Sequence, residues 1–148
     1  MLGRAMGLDV GNARIGIALS DPLQTIASPF STIKNDGTAL AEILKIIKEK
    51  NVIDIAVGLP LMLTGEIGEQ ASLTLAFVKK LEEKLKVATL ENIAIHQIDE
   101  RYTSAAAENV LVGSKLKNKA LRSATDRIAA SLILETYLQK KAYISSSR

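Results

Sequence analysis

The stretch Gly7-Leu8-Asp9-Val10-Gly11-Asn12-Ala13-Arg14-Ile15-Gly16-Ile17-Ala18-Leu19-Ser20-Asp21 decides the fold. A carboxylate stands between apolar strand residues, with glycines two positions before and two after it. Ile15, Ile17 and Leu19 then alternate, the period-2 pattern of a strand with one buried face. Gly11-Asn12-Ala13 suits a tight turn, so residues 6–11 and 14–20 read as a hairpin. Asp9 is then expected over the middle of a sheet, where a metal ion or a phosphate can be held. A charge there is costly without a partner, and that partner is the expected function.

Working outward, residues 24–33 read as a third strand, with Pro29 marking an edge or a bulge. Asn35-Asp36-Gly37 breaks the pattern and can start a helix. Leu40, Ile43, Leu44 and Ile47 recur at helical spacing to about Lys50. Val52 to Val57 is a short apolar run suited to a buried parallel strand, ended by Gly58-Leu59-Pro60. A loop from Leu61 to Gly65 leads into a helix to about Lys86, with Ala71, Leu75, Val78, Leu81 and Leu85 as its buried stripe. Ile93 to Ile98 is a further strand. Thr103 or Ser104 can cap a helix to about Val112. Gly113 to Asn118 forms a basic loop, and a last helix runs from about Lys119 to Leu138. The order β-β-β-α-β-α-β-α-α predicts an α/β fold. Three antiparallel strands are followed by parallel ones in a mixed five-stranded sheet, with helices on both faces. One domain over 1–140 is expected, with 141–148 as a flexible tail.

Composition narrows the chemistry. The 148 residues include no cysteine, which excludes disulfides, thiolate metal sites and thiol catalysis. A hydrophobic content of 47% and a charged content of 24% are ordinary for a globular protein. No apolar run approaches the roughly 20 residues of a membrane helix. Gly7, Asp9 and Gly11 interrupt any signal-peptide pattern, so a cytoplasmic location is expected. The net charge is +3. Lys115, Lys117, Lys119, Arg122 and Arg127 cluster against a single acid, Asp126, which suits an anionic partner or simply a solvated loop.

Three acidic positions stand out: Asp9, Asp99-Glu100 after the last strand, and Asp126 in the final helix. Asp9 and Glu100 lie toward the carboxyl ends of strands, where sites form in open α/β sheets. Clustered carboxylates repel one another unless a cation is present, and hard oxygen ligands favour Mg²⁺ or Mn²⁺. Such ions can activate water for phosphodiester cleavage. Singly, each acid has a plainer reading. Asp9 suits an Asx turn, Glu100-Arg101 a surface ion pair, and Asp126 a first-turn acid that favours the helix dipole. His96, alternating within a strand, reads as structural. Together, the acids and the basic stretch favour a metal site.

Four segments resemble the YqgF family of small RuvC-like proteins with an RNase H-like fold. They are GLDVGNARIGIALSD at 7–21, VGLP with downstream Gly65 and Gly68-Glu69-Gln70-Ala71, DERYTS at 99–104, and KNKALRSATDRIAASLILETYL at 117–138. The family is known as pre-16S rRNA nucleases or Holliday-junction resolvase-like proteins. The resemblance implies Asp9, Glu100 and Asp126 as catalytic metal ligands for Mg²⁺ or Mn²⁺, with Asp99 as an assistant. It implies Arg14, Arg101, Thr103 and Lys119 as nucleic-acid contacts. It further implies an endonuclease on structured RNA, processing the 5′ end of pre-16S rRNA, with the pre-ribosomal particle as a partner. No membrane partner is expected, and the protein is read as a monomer or weak homodimer. A Holliday-junction resolvase and a non-catalytic nucleic-acid-binding module are the alternatives. ATP binding on an actin-like sheet would need a second domain. Two departures touch substrate contacts: Ala13 stands where the family often has Lys, and Leu61-Met62-Leu63-Thr64 replaces a more polar loop. Only Phe30, Phe77, Tyr102, Tyr137 and Tyr143 are aromatic, so recognition by shape and backbone is expected rather than base stacking.

Overall fold

The computed structural model describes residues 2–100 and 119–146. The elements are β1 (Arg4–Val10), β2 (Arg14–Ser20), β3 (Ala27–Lys34), α1 (Ala39–Lys50), β4 (Val52–Leu59), α2 (Glu69–Val87), β5 (Ala94–Asp99) and α3 (Lys119–Ser146). The expected helix over 103–112 and the basic loop lie outside the described residues.

The five strands form one sheet in the order β3-β2-β1-β4-β5. β1 pairs antiparallel with β2, and β2 with β3; β1 pairs parallel with β4, and β4 with β5. This is the mixed five-stranded sheet expected. β3 is an edge strand, and its register against β2 shifts between Ile17 and Ala18, where Pro29 pairs with Ala18. The edge and the irregularity both suit a residue without an N–H.

The third strand starts three residues later than its β-rich composition suggests, because Asp21 builds a turn first. Its carboxylate accepts from the Thr25 and Ile26 backbone N–H groups at 2.7 and 2.8 Å and from the Thr25 hydroxyl at 2.7 Å. Gln24 takes a left-handed φ of 55° inside that turn. These donors hold the Asp21 carboxyl down to about 2.

Alternation divides the sheet into two unlike faces. Met6, Leu8, Ile15, Ile17, Ile55 and Val57 point to one side and pack with Ile43 and Ile47 of α1 and with Phe77, Val78, Leu81 and Leu85 of α2. Fully burying side chains of this size contributes about 1.5–3 kcal/mol each. Thr74 joins the buried stripe of α2 because its hydroxyl donates to the Gln70 carbonyl at 3.1 Å. The other side carries small residues, Ala5, Ala18 and Ala56, and takes α3 through Ala130, Ile133, Leu134, Tyr137 and Leu138. Among the described residues, helices cover both faces, two on one and one on the other.

α3 runs past its expected end at Leu138 to Ser146, into the stretch read as a tail. The physical reason is a polar network that the strand pattern conceals. Lys141 donates to Gln24 Oε1 at 2.7 Å and lies 3.6 Å from Asp54. Asp54 also accepts from Gln24 Nε2 at 2.9 Å and sits 3.3 Å from His96 Nε2. The His96 ring lies 4.6 Å from that of Tyr137. His96 is structural, as expected. Burial alone would raise the Asp54 carboxyl, but hydrogen bonds from Gln24 and His96, with the charges of Lys141 and His96, hold it below the usual carboxylate range. Asp54→Ala removes the acceptor that Gln24, His96 and Lys141 share, leaving Gln24 only its bond to the Gly3 carbonyl and Lys141 only its bond to Gln24. A loss of about 1–3 kcal/mol in urea unfolding is expected, with fraying of α3 after Leu138; an unchanged midpoint would show the network to be ornamental.

Candidate active site

Asp9 lies on β1 two residues beyond Gly7, hence on the face covered by α3. Glu100 follows β5 directly and is buried. Asp126 lies one turn before Ala129 and Ala130, whose small side chains bring α3 against the sheet. Two glycines make this approach possible. A Cβ at Gly16 would overlap the backbone carbonyl of Asp126, so β2 admits α3 only because that position is bare. A Cβ at Gly58 would lie 2.9 Å from Glu100 Oε1, so the end of β4 is hollowed to receive that carboxylate.

The electrostatics report the crowding. Burial pushes the Asp9 carboxyl up to about 6, and the charge of Asp126 adds to the shift. Burial raises Glu100 to about 7, with Asp9 and Asp99 contributing. Asp9 is therefore within electrostatic reach of Asp126 on one side and of Glu100 on the other.

Arg14 does not stand free to meet phosphate. Its Nε donates to Asp126 Oδ2 at 2.6 Å, a contact between residues 112 apart in sequence, with both side chains partly buried. Such a charge-assisted bond is among the stronger hydrogen bonds. Arg101 and Thr103 lie outside the described residues, as does the side chain of Lys119, which opens α3.

A divalent cation fits the donor chemistry: three carboxylates, two of them raised by burial and by neighbouring acids. Among the described residues no three such side chains are gathered closely enough to hold an ion. Arg14 instead holds the Asp126 carboxylate in an ion pair. The sequence singled out the acids. It missed the Arg14–Asp126 pair, for which no local signal exists, and the Asp54 network, whose only trace is a polar residue within an apolar strand.

Comparison with known proteins bears on this site. A family model named RuvX and described as "Holliday junction resolvase" matches residues 3–140. A protein of Roseiflexus sp. named "Putative pre-16S rRNA nuclease" is 43% identical over 141 residues, covering 94% of this chain and 96% of its own. A protein of the same name from Sulfurihydrogenibium sp. is 40% identical, covering 96% and 94%. Among solved structures, Thermus thermophilus RuvC in complex with a Holliday junction substrate superposes with a TM-score of 0.58 at 14% identity, over 95% of this chain and 96% of that one. That likeness bears on the fold, and it agrees with the RNase H-like sheet read from the motifs. The motif order, the sheet and the match over nearly the whole chain lead to one conclusion: this protein belongs to the RuvX family, the YqgF family of its motifs.

Proposed function

We propose that this protein is a metal-dependent endonuclease that cleaves phosphodiesters in structured RNA and processes the 5′ end of the 16S rRNA precursor. What supports this reading is the electrostatic coupling of Asp9 on β1 both to Asp126 on α3 and to Glu100 at the end of β5. Asp9 and Glu100 would hold Mg²⁺ or Mn²⁺, and Asp126 would complete the set. Bound there, such a cation supplies an activated water and neutralises charge on the scissile phosphate. The residues supply the rest. Gly58 leaves room for Glu100, which is buried, while α3 presents Asp126, which is partly open to solvent. By resemblance, Arg101, Thr103 and Lys119 would meet the phosphates, and Arg14 would do so only with the guanidinium N–H groups left over from its bond to Asp126. RNA is favoured by the name that the similar proteins carry. The pre-ribosomal particle would then be the physiological partner. Among the described residues no helix is long and apolar enough to cross a membrane.

The family description favours a second reading, cleavage of a DNA four-way junction. A resolvase cuts two strands in related positions and needs a two-fold pair of subunits. The first reading fits a monomer or weak homodimer. The test is cleavage of a labelled rRNA-precursor fragment and of a DNA junction, side by side, with Mg²⁺ or Mn²⁺ and with EDTA. Cutting of the RNA alone, abolished by EDTA, is expected. Cutting of the junction alone moves the assignment to a resolvase. Binding of either without cutting favours a non-catalytic module.

A further inference from the structure

A groove of about 480 Å³ runs between the end of β3 and the start of α3, on the outer side of the Arg14–Asp126 pair. Three cations line it, Arg14, Lys34 and Arg122, together with the neutral polar groups of Thr32, Asn35 and Ser123. Its single acid, Asp36, accepts from the Thr38 backbone N–H at 2.9 Å and from the Thr38 hydroxyl at 2.6 Å and offsets part of the Lys34 charge, which leaves the lining with a positive excess. The walls are tied together. Thr32 Oγ1 donates to the Ser123 carbonyl at 2.5 Å, and Asn35 Nδ2 donates to the Gly11 carbonyl at 2.7 Å. The groove thus has a fixed width and an excess of positive charge. Arg14 belongs both to it and to the acidic site.

We propose that this groove carries the phosphodiester backbone of the nucleic-acid substrate, and that Arg14 couples its occupancy to the acidic site by sharing its guanidinium between a phosphate and Asp126. The coupling rests on the metal-site reading; the phosphate track stands by itself. The guanidinium has five donors, and its Nε is the one that meets Asp126. A phosphate in the groove competes for that charge and loosens its hold on Asp126, which then becomes free to serve as a ligand. Linkage is reciprocal, so a cation that claims Asp126 also releases Arg14 toward phosphate. Arg14 is in this sense a positioning residue. With the groove empty it keeps the third acid occupied, so the metal site is completed when substrate is present.

Two measurements test this. The first is binding of a short labelled RNA duplex, with a DNA duplex of the same sequence in parallel, in EDTA and over a range of NaCl concentrations. The double variant Lys34→Gln/Arg122→Gln changes two exposed positions on the groove wall. It should bind about tenfold more weakly at moderate salt, with the slope of log K against log salt reduced by about 2. The two duplexes show which polymer supplies the phosphates; a loss on either supports the track, and an unchanged slope on both overturns it. Thermal unfolding of the variant at the wild-type temperature excludes a folding defect. The second is Mn²⁺ binding to the protein without nucleic acid, read from the EPR signal of free Mn²⁺. Arg14→Gln releases Asp126 and should tighten Mn²⁺ about fivefold or more, within the usual range of coupling between sites. Equal affinity in wild type and variant overturns the coupling but leaves the metal site standing. Failure of both proteins to bind Mn²⁺ overturns the coupling and the metal-site reading together, while the salt slope still decides the groove.

Discussion

Replacing Asp9 with asparagine is expected to abolish cleavage, by a factor on the order of 10³ or more, the cost of removing an anionic ligand from the proposed metal-assisted hydrolysis. Binding of nucleic acid persists, because the cations that meet phosphate lie elsewhere. The same substitution makes the metal-free protein more stable at neutral pH. The sign follows from linkage. Asp9 titrates at about 6 in the folded protein against an ordinary 3.8, so the native state favours its protonated form. Stability conferred by that proton is present in acid and is lost as pH rises through about 6, a penalty of roughly 3 kcal/mol at higher pH. Glu100, raised from 4.5 to about 7, acts in the same direction. The metal-free wild type should therefore melt at a lower temperature as pH rises from about 4 to 7, and Asp9→Asn should lose nearly half of that decline. Mg²⁺ or Mn²⁺ should raise the wild-type melting temperature at neutral pH and leave the variant nearly unmoved. Retained cleavage in the variant, or a wild type that gains stability toward neutral pH without metal, would show that the acids have been misassigned.

Gly16→Val is expected to be the most damaging single change to the fold. A Cβ at this position collides with the backbone carbonyl of Asp126 and crowds the Arg127 nitrogen. These are main-chain atoms inside a helix and have no rotamer by which to yield. Overpacking of this kind costs about 1–3 kcal/mol for a methyl and more for a branched side chain. Urea midpoints should thus fall in the order wild type, Gly16→Ala, Gly16→Val. Cleavage should fall further than stability does, since the collision is with the residue that carries the third acid. Gly37→Ala serves as the control, because a Cβ there meets nothing within 4 Å. A fully stable, active Gly16→Val protein would mean that α3 does not lie on β2 as described.

Much of this was legible because the governing interactions are local. Ile15, Ile17 and Leu19 alternate, so β2 and its buried face follow from the pleat alone, and Gly11-Asn12 marks the hairpin. Pro29 announced an edge, and β3 is one. The acids were legible as chemistry: a carboxylate within an apolar strand is costly and demands an explanation. What stayed hidden was long-range or competitive. Asp21 delays β3 by offering the backbone a turn in place of a ladder, a contest that strand propensity does not register. Arg14 reads as a phosphate ligand until the fold brings Asp126 beside it across 112 residues. Asp54, His96, Tyr137 and Lys141 look unremarkable one by one, and their network holds α3 beyond the point where its apolar stripe ends at Leu138.

The order in which the acids occur along the chain has a temporal meaning. Asp9 lies on the first strand, Glu100 just after the fifth, and Asp126 on a helix that follows every strand of the sheet. A polypeptide emerging from the ribosome with its N-terminus first can lay down β1 to β5 while still lacking the third carboxylate and the helix that carries it. On the proposed role of Asp126, the nascent chain would be unable to cut the RNA that surrounds it during translation. The blade is fitted last, once residue 126 has cleared the exit tunnel and α3 has closed over Gly16.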